Sequence, residues 1–259
     1  MKRSILGCLA LFFVISNVNA NLLVTPTRAE LDDKRQKSAI FSLVNKGSVT
    51  SRYNIYFQDK RQLPTGDYQS VDGKGVLAKY VRYSPRRITL DPEQGTRVRV
   101  ALRLPKGVKP GEYRSYLVFN QIPLTEAEST SSSDDNQSLS LSISAVLRIS
   151  VPVVLRVGEL NSEVEIATGQ LNPQTNNVSV TLARAGSRST YGDIEVLTEV
   201  DGKKQTIGSY KNAALYTEIS ERNFAVSLDS AVEASTKLWV RYSESDQLPN
   251  PQVIEYALN

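Results

Sequence analysis

Residues 138–155, SLSLSISAVLRISVPVVL, alternate with unusual persistence. Every odd position from Leu139 to Leu155 is apolar, and the even positions are mostly Ser and Arg, with Val146, Pro152 and Val154 as exceptions. A period of two is the mark of a β-strand with one buried face. At about 3.3 Å per residue the stretch from Leu139 to Leu155 would span about 55 Å. An ordinary strand has about five or six residues, so this segment needs an unusually long partner surface and commits the chain to β-structure.

The rest of the sequence keeps the same pattern. Leu22–Leu31, Ala39–Val44, Tyr53–Phe57, Tyr80–Leu90, Arg97–Leu104 and Tyr113–Ile122 read as strands, with turn signals such as Asn45-Lys46-Gly47, Asp91-Pro92 and Lys109-Pro110-Gly111 between them. Together with the long strand they predict an antiparallel β-sandwich. A second set follows: Ser162–Ala167, Val178–Arg184, Tyr191–Glu199, Thr206–Tyr210, Arg222–Leu228, Lys237–Tyr242 and Pro251–Leu258. The short connection Arg156-Val157-Gly158-Glu159 separates the sets and predicts two sandwiches packed at a fixed angle. A faint repeat supports their kinship. Ser42–Ser48 leads to Tyr53 and Ile55, and Thr181–Ser187 leads to Tyr191 and Ile194. Thr125–Asn136, TEAESTSSSDDN, reads as a solvated loop just before the long strand.

The N-terminus reads as a targeting segment. Lys2 and Arg3 precede the apolar run Ile5–Ser16, and Val18-Asn19-Ala20 supplies a small-residue cleavage site. The expected organisation is a signal peptide at 1–20, a first sandwich at 21–156 that contains the long strand 138–155, and a second sandwich at 157–259. No other long apolar run follows, so no membrane insertion is expected after cleavage. The one cysteine, Cys8, would leave with the signal, so no disulfide framework is expected.

Composition narrows the function. There is no histidine, which excludes Ser-His-Asp and Cys-His catalysis and every His-ligated metal site. No cofactor and no metal are expected. The 31 basic and 27 acidic side chains are dispersed, so nucleic acid is not an expected partner. A secreted glycosidase working with two carboxylates finds no support, because Asp32-Asp33 and Asp134-Asp135 read as loop acids.

Five motifs stand in a particular order: Pro26-Thr27-Arg28; Leu43-Val44-Asn45-Lys46-Gly47; Tyr83-Ser84-Pro85 followed by Leu90-Asp91-Pro92; Gly95-Thr96-Arg97-Val98-Arg99-Val100; and Gly111-Glu112-Tyr113-Arg114-Ser115-Tyr116-Leu117. This set resembles the N-terminal domain of the periplasmic chaperones of fimbrial chaperone–usher assembly, the PapD-like family. The resemblance implies an all-β chain of two Ig-like β-sandwich domains in tandem, in an L-shaped or boomerang arrangement. It also implies a function without enzymatic activity. A periplasmic chaperone would bind fimbrial or pilin subunits that lack a final strand and deliver them to an outer-membrane usher.

In that family the chaperone lends its seventh strand to the subunit's groove. Leu139, Leu141, Ile143 and Ala145 match the donated residues, and Leu147–Leu155 would close the chaperone's own sandwich. The plainer alternative is that the whole strand is intramolecular. Two basic residues in the family's cleft bind the subunit's C-terminal carboxylate. The first maps onto Arg28. The second is usually a Lys, but Ser150 stands there, and Arg148, of the same parity, is the candidate replacement. Arg99 and Arg114 match motif positions and are expected to pair with acidic neighbours inside the first domain. Arg184, Arg188 and Arg222 are expected either to fix the interdomain angle or to form surface pairs. An unfilled donor strand is an exposed apolar edge, which invites self-association of the free form. The competing reading is an Ig-like pilus subunit or surface adhesin.

Overall fold

The computed structural model describes residues 22–73, 75–123, 146–233 and 235–258. Its strands in chain order are β1 (Leu22–Thr25), β2 (Ala29–Asp32), β3 (Ser38–Asn45), β4 (Ser51–Gln62), β5 (Tyr68–Val71), β6 (Val81–Ser84), β7 (Arg87–Leu90), β8 (Gly95–Leu102), β9 (Gly111–Ile122) and β10 (Arg148–Val157). They continue with β11 (Ser162–Asn172), β12 (Asn177–Gly186), β13 (Thr190–Val200), β14 (Lys203–Leu215), β15 (Glu221–Ser227), β16 (Leu238–Glu244) and β17 (Val253–Leu258). A 3₁₀ turn at Val76–Lys79 is the one helical element among the described residues.

The chain is all-β, two Ig-like sandwiches in tandem. The first pairs the sheet β1-β3-β8-β6 with the sheet β2-β10-β9-β4-β5, and β7 joins the second sheet through β4. The second pairs β11-β12-β15 with β14-β13-β16-β17. Alternation explains each core. Phe41, Leu43, Val98 and Val100 point inward from one sheet of the first sandwich and meet Leu117, Phe119, Val153 and Leu155 from the other. Val178, Leu182, Ile194, Val196, Phe224 and Val240 fill the second.

Two expected strands are each divided between sheets. The run 22–31 becomes β1, antiparallel to β3, and β2, parallel to β10, with Pro26 at the break. The run 80–90 becomes β6 in one sheet and β7 in the other, broken at Ser84-Pro85. Proline has no N–H to give a ladder and favours such corners. β4 runs five residues beyond the expected Phe57, to Gln62, and β5 was not foreseen. The repeated strand–turn–strand units prove equivalent. β3 to β4 and β12 to β13 each cross from one sheet of their sandwich to the other.

Candidate functional site

β10 is covered on one side by β9 along its whole described length, Arg148 opposite Asn120 through Val157 opposite Gly111. On its other side β2 covers only Val153 to Arg156. The direction of the backbone groups follows from two bonds. The Gln121 N–H donates to the Leu147 carbonyl at 2.9 Å, and the Asp33 N–H donates to the Arg156 carbonyl at 3.3 Å. Odd residues therefore turn their backbone toward β9 and even residues turn theirs away. Arg148, Ser150 and Pro152 thus present backbone groups along an edge with no strand beside it among the described residues. Pro152 is tolerated there because its missing N–H would have faced the open side. Val151, Val153 and Leu155 fill the core. Leu139, Leu141, Ile143 and Ala145 share their parity in the sequence but lie outside the described residues, as does the signal segment.

The outward face of this sheet meets the second sandwich. Gln62, at the end of β4, donates from Nε2 to the Ala214 carbonyl at 3.0 Å. Its Oε1 accepts the Tyr216 N–H at 3.0 Å. The Gln62 N–H donates to Glu218 at 2.7 Å, and Glu218 also pairs with Arg114. Arg156 joins Glu30 and Glu112, and Glu112 accepts the Ser189 N–H of the second sandwich at 3.1 Å. These contacts hold the two sandwiches together with polar groups that are mostly withdrawn from water, where a missing partner is costly.

Arg28 lies at the rim of that junction. It directly precedes Ala29, which pairs with Val153, and so stands level with Pro152. Its guanidinium lies over Tyr191 with 3.9 Å to the ring centroid and 5.5 Å from Tyr216, within the range of cation–π attraction. Burial acts against its charge, but Tyr216, Glu30 and Tyr191 outweigh it and hold the pKa above the ordinary value. Arg28 Nη1 is buried without a hydrogen-bond partner among the described residues, and so is Ser150 Oγ. The two belong to neighbouring rows of one face beside the open edge.

Arg148 is not brought to Arg28. It is exposed, donates to Asn120 Oδ1 at 2.9 Å, and stands four residues along β10 from the level of Arg28, about 13 Å at the usual rise. A cation the sequence did not single out lies closer to the middle of this face. Lys60 Nζ sits 5.2 Å from the Tyr116 ring. Burial, and then the like charge of Arg148, lower its pKa. Reading β4 as ending at Phe57 hid it, because the polar run Gln58–Gln62 does not look like strand until the second sandwich is placed against it.

Arg99 and Arg114 depart from expectation, whereas Arg222 reaches across the junction, one of its two expected roles. Arg114 pairs across the junction with Glu218 rather than within its own domain, and stacks on Tyr216 at 3.5 Å. Arg99 forms no ion pair among the described residues. Arg184 holds the 217–219 loop through the Thr217 and Ile219 carbonyls. Arg188 is buried against Glu244 at 3.1 and 3.3 Å. Arg222 donates to the Ala214 carbonyl at 3.1 Å and reaches the Gly66 turn of the first sandwich. Among the described residues, no group of three or more His, Cys, Asp or Glu side chains is placed to hold a metal ion.

The arrangement defines two tandem Ig-like sandwiches with a strand edge that is open among the described residues beside the half-buried Arg28. No protein-family model matches the sequence, and no curated protein does. Among solved structures the chain is similar to the YadV chaperone, with 11% identity and a TM-score of 0.49 over 92% of this chain and 100% of that one. It is also similar to the CupB2 chaperone of Pseudomonas aeruginosa, with 14% identity and a TM-score of 0.49 over 92% and 100%. A third is the CsuC–CsuE chaperone–tip adhesion subunit complex of Acinetobacter baumannii, with 14% identity and a TM-score of 0.47 over 91% and 98%.

Proposed function

We propose that this protein is a non-enzymatic periplasmic chaperone that captures incomplete β-sandwich subunits of fimbriae or pili. Capture is by strand donation, and delivery is to an outer-membrane usher. The observation that carries the reading is the open edge of β10 at Arg148, Ser150 and Pro152. It is collinear in the sequence with the alternating residues Leu139, Leu141, Ile143 and Ala145. A subunit strand laid along this edge gains backbone hydrogen bonds, and the alternate apolar side chains enter its groove. Each large side chain buried in this way contributes about 1.5–3 kcal/mol before ordering costs. Residues 1–20 act as the export signal, and the two sandwiches divide at 156/157.

Arg28 receives the subunit's terminal carboxylate. Its unpartnered Nη1 supports this role, because a guanidinium with a free donor binds carboxylate strongly in a site shielded from water. The test is to mix the purified protein with a subunit that exposes its groove. A 1:1 complex on size-exclusion chromatography is expected, lost in Leu141→Asp/Ile143→Asp and weakened in Arg28→Ala. A complex that survives the double substitution would rule out strand donation.

A further inference from the structure

The sheet β1-β3-β8-β6 turns its other face to solvent. Alternation sends Leu23, Ile40, Arg82, Arg97 and Arg99 outward, while Leu22, Phe41, Val81, Val98 and Val100 are buried. Arg103 follows the end of β8 with the same parity. The register sets Arg97 beside Ser42, Arg99 between Ile40 and Ser84, and Arg82 beside Ala101. The four strands contain no Asp or Glu. None of these four arginines forms a salt bridge among the described residues, and all four are exposed. Arg114, Arg156, Arg188 and Arg241, by contrast, are each paired with a carboxylate.

Like charges repeated at i and i+2 along one strand face repel. The neighbours here are small, chiefly Ser38, Ser42, Ser84 and Ala101, and Arg82 leans onto the Val81 carbonyl at 3.4 Å. Ile40, 51% exposed, lies opposite Arg99, and Leu23, 50% exposed, is on the outer strand β1 of the same face. Within the four strands every cation is Arg and none is Lys. Protein interfaces enrich Arg and deplete Lys in this way, and the planar fork matches carboxylate pairs. Four strands of this length present about 500 Å², at the scale of a small, transient interface.

We propose that the outward face of β1-β3-β8-β6 docks an acidic protein surface, with Arg97 and Arg99 at its centre, Arg82 and Arg103 at its margin, and Leu23 and Ile40 as apolar contacts. This face is on the opposite side of the first sandwich from the junction, and the inference does not depend on strand donation by β10.

Fluorescein-labelled poly-L-glutamate serves as the probe, read by anisotropy, with flotation on phosphatidylglycerol vesicles as the second arm. Arg97→Glu/Arg99→Glu should weaken poly-glutamate binding by about tenfold or more. Lys203→Glu/Lys237→Glu, with the same change in net charge on the second sandwich, should weaken it much less. Arg97→Lys/Arg99→Lys should lose about threefold, because the bidentate fork is gone while the charge remains. Circular dichroism melts of the variants should match the parent, since the substituted side chains are outside the core. Equal weakening by both charge reversals would overturn the proposal. So would vesicle flotation that depends on Arg97 and Arg99 but tolerates lysine, which would identify a membrane surface instead.

Discussion

The side chain of Gln62 accepts the backbone N–H of Tyr216 at 3.0 Å across the junction of the two sandwiches, and its own amide donates to Ala214 beside it. Both partners are buried main-chain groups. Gln62→Ala should therefore leave the Tyr216 N–H without a partner and the Ala214 carbonyl with Arg222 alone, at a cost of about 1–3 kcal/mol. Urea denaturation should show a lower midpoint, and small-angle scattering should show a wider spread of interdomain angles. An unchanged midpoint together with an unchanged scattering profile would refute this role.

Arg114 and Glu218 form the ion pair nearest to this contact, and the Arg114 side chain is only 9% exposed. Arg114→Met should cost about 3 kcal/mol, because the partly buried Glu218 carboxylate is left without its cation. Adding Glu218→Gln should restore part of the loss. A double-mutant cycle in denaturant that returned purely additive values would show that the pair does not couple.

Gly66 has φ +95°, and a Cβ there would fall 2.5 Å from Arg222 Nη2. Gly66→Ala must strain the backbone and displace Arg222 from the Ala214 carbonyl. The expected loss is about 1–3 kcal/mol. Arg222→Ala should make Gly66→Ala less costly, since the steric part of the penalty goes with the guanidinium. Thermal melts of the two single variants and the double variant decide it.

Alkaline pH should open the junction. Burial, then the charge of Glu30, raises the Tyr191 phenol to about 12, and burial also raises Tyr116 and Tyr242. An unfolded tyrosine ionises near 10. The stability the neutral Tyr191 phenol provides is therefore fully present below pH 10 and is lost as pH rises from 10 through 12. Tyr191→Phe should flatten the fall in denaturation midpoint across that window while leaving the pH 7 midpoint nearly unchanged. An equal slope in the variant would argue against the assignment.

Ser150 and Arg148 make separable predictions about carboxylate capture. Ser150→Lys places a cation one row from Arg28 on the same face and should tighten binding of a subunit with a free C-terminus by about tenfold. Arg148→Ala should change that affinity little, because Arg148 is held at Asn120, four residues from the level of Arg28. Titration against subunits with free and amidated C-termini tests both. A loss confined to Arg148→Ala with the free terminus would transfer the anchor to Arg148.

The strands were legible because alternation is local. Phe41, Leu43, Val98, Val100, Val153 and Leu155 announce their buried face from sequence parity alone, and the turns between strands carry their own Gly, Pro, Asn and Asp signals. The absence of histidine likewise excluded whole classes of chemistry without any structure. What parity does not carry is the identity of the neighbour. The run 22–31 reads as one strand, and only packing shows that it leaves β3 for β10 at Pro26. Arg99 and Arg114 look alike in sequence, each in a strand motif. Yet one stands on an acid-free outer face and the other meets Glu218 more than a hundred residues away. The polar run Gln58–Gln62 ends a strand when read alone and becomes a junction once Ala214, Tyr216 and Glu218 satisfy it. Side-chain direction is set by neighbours in the chain. Charge pairing, burial of polar groups and the open edge of β10 are set by contacts between distant segments, and these the tertiary structure alone decided.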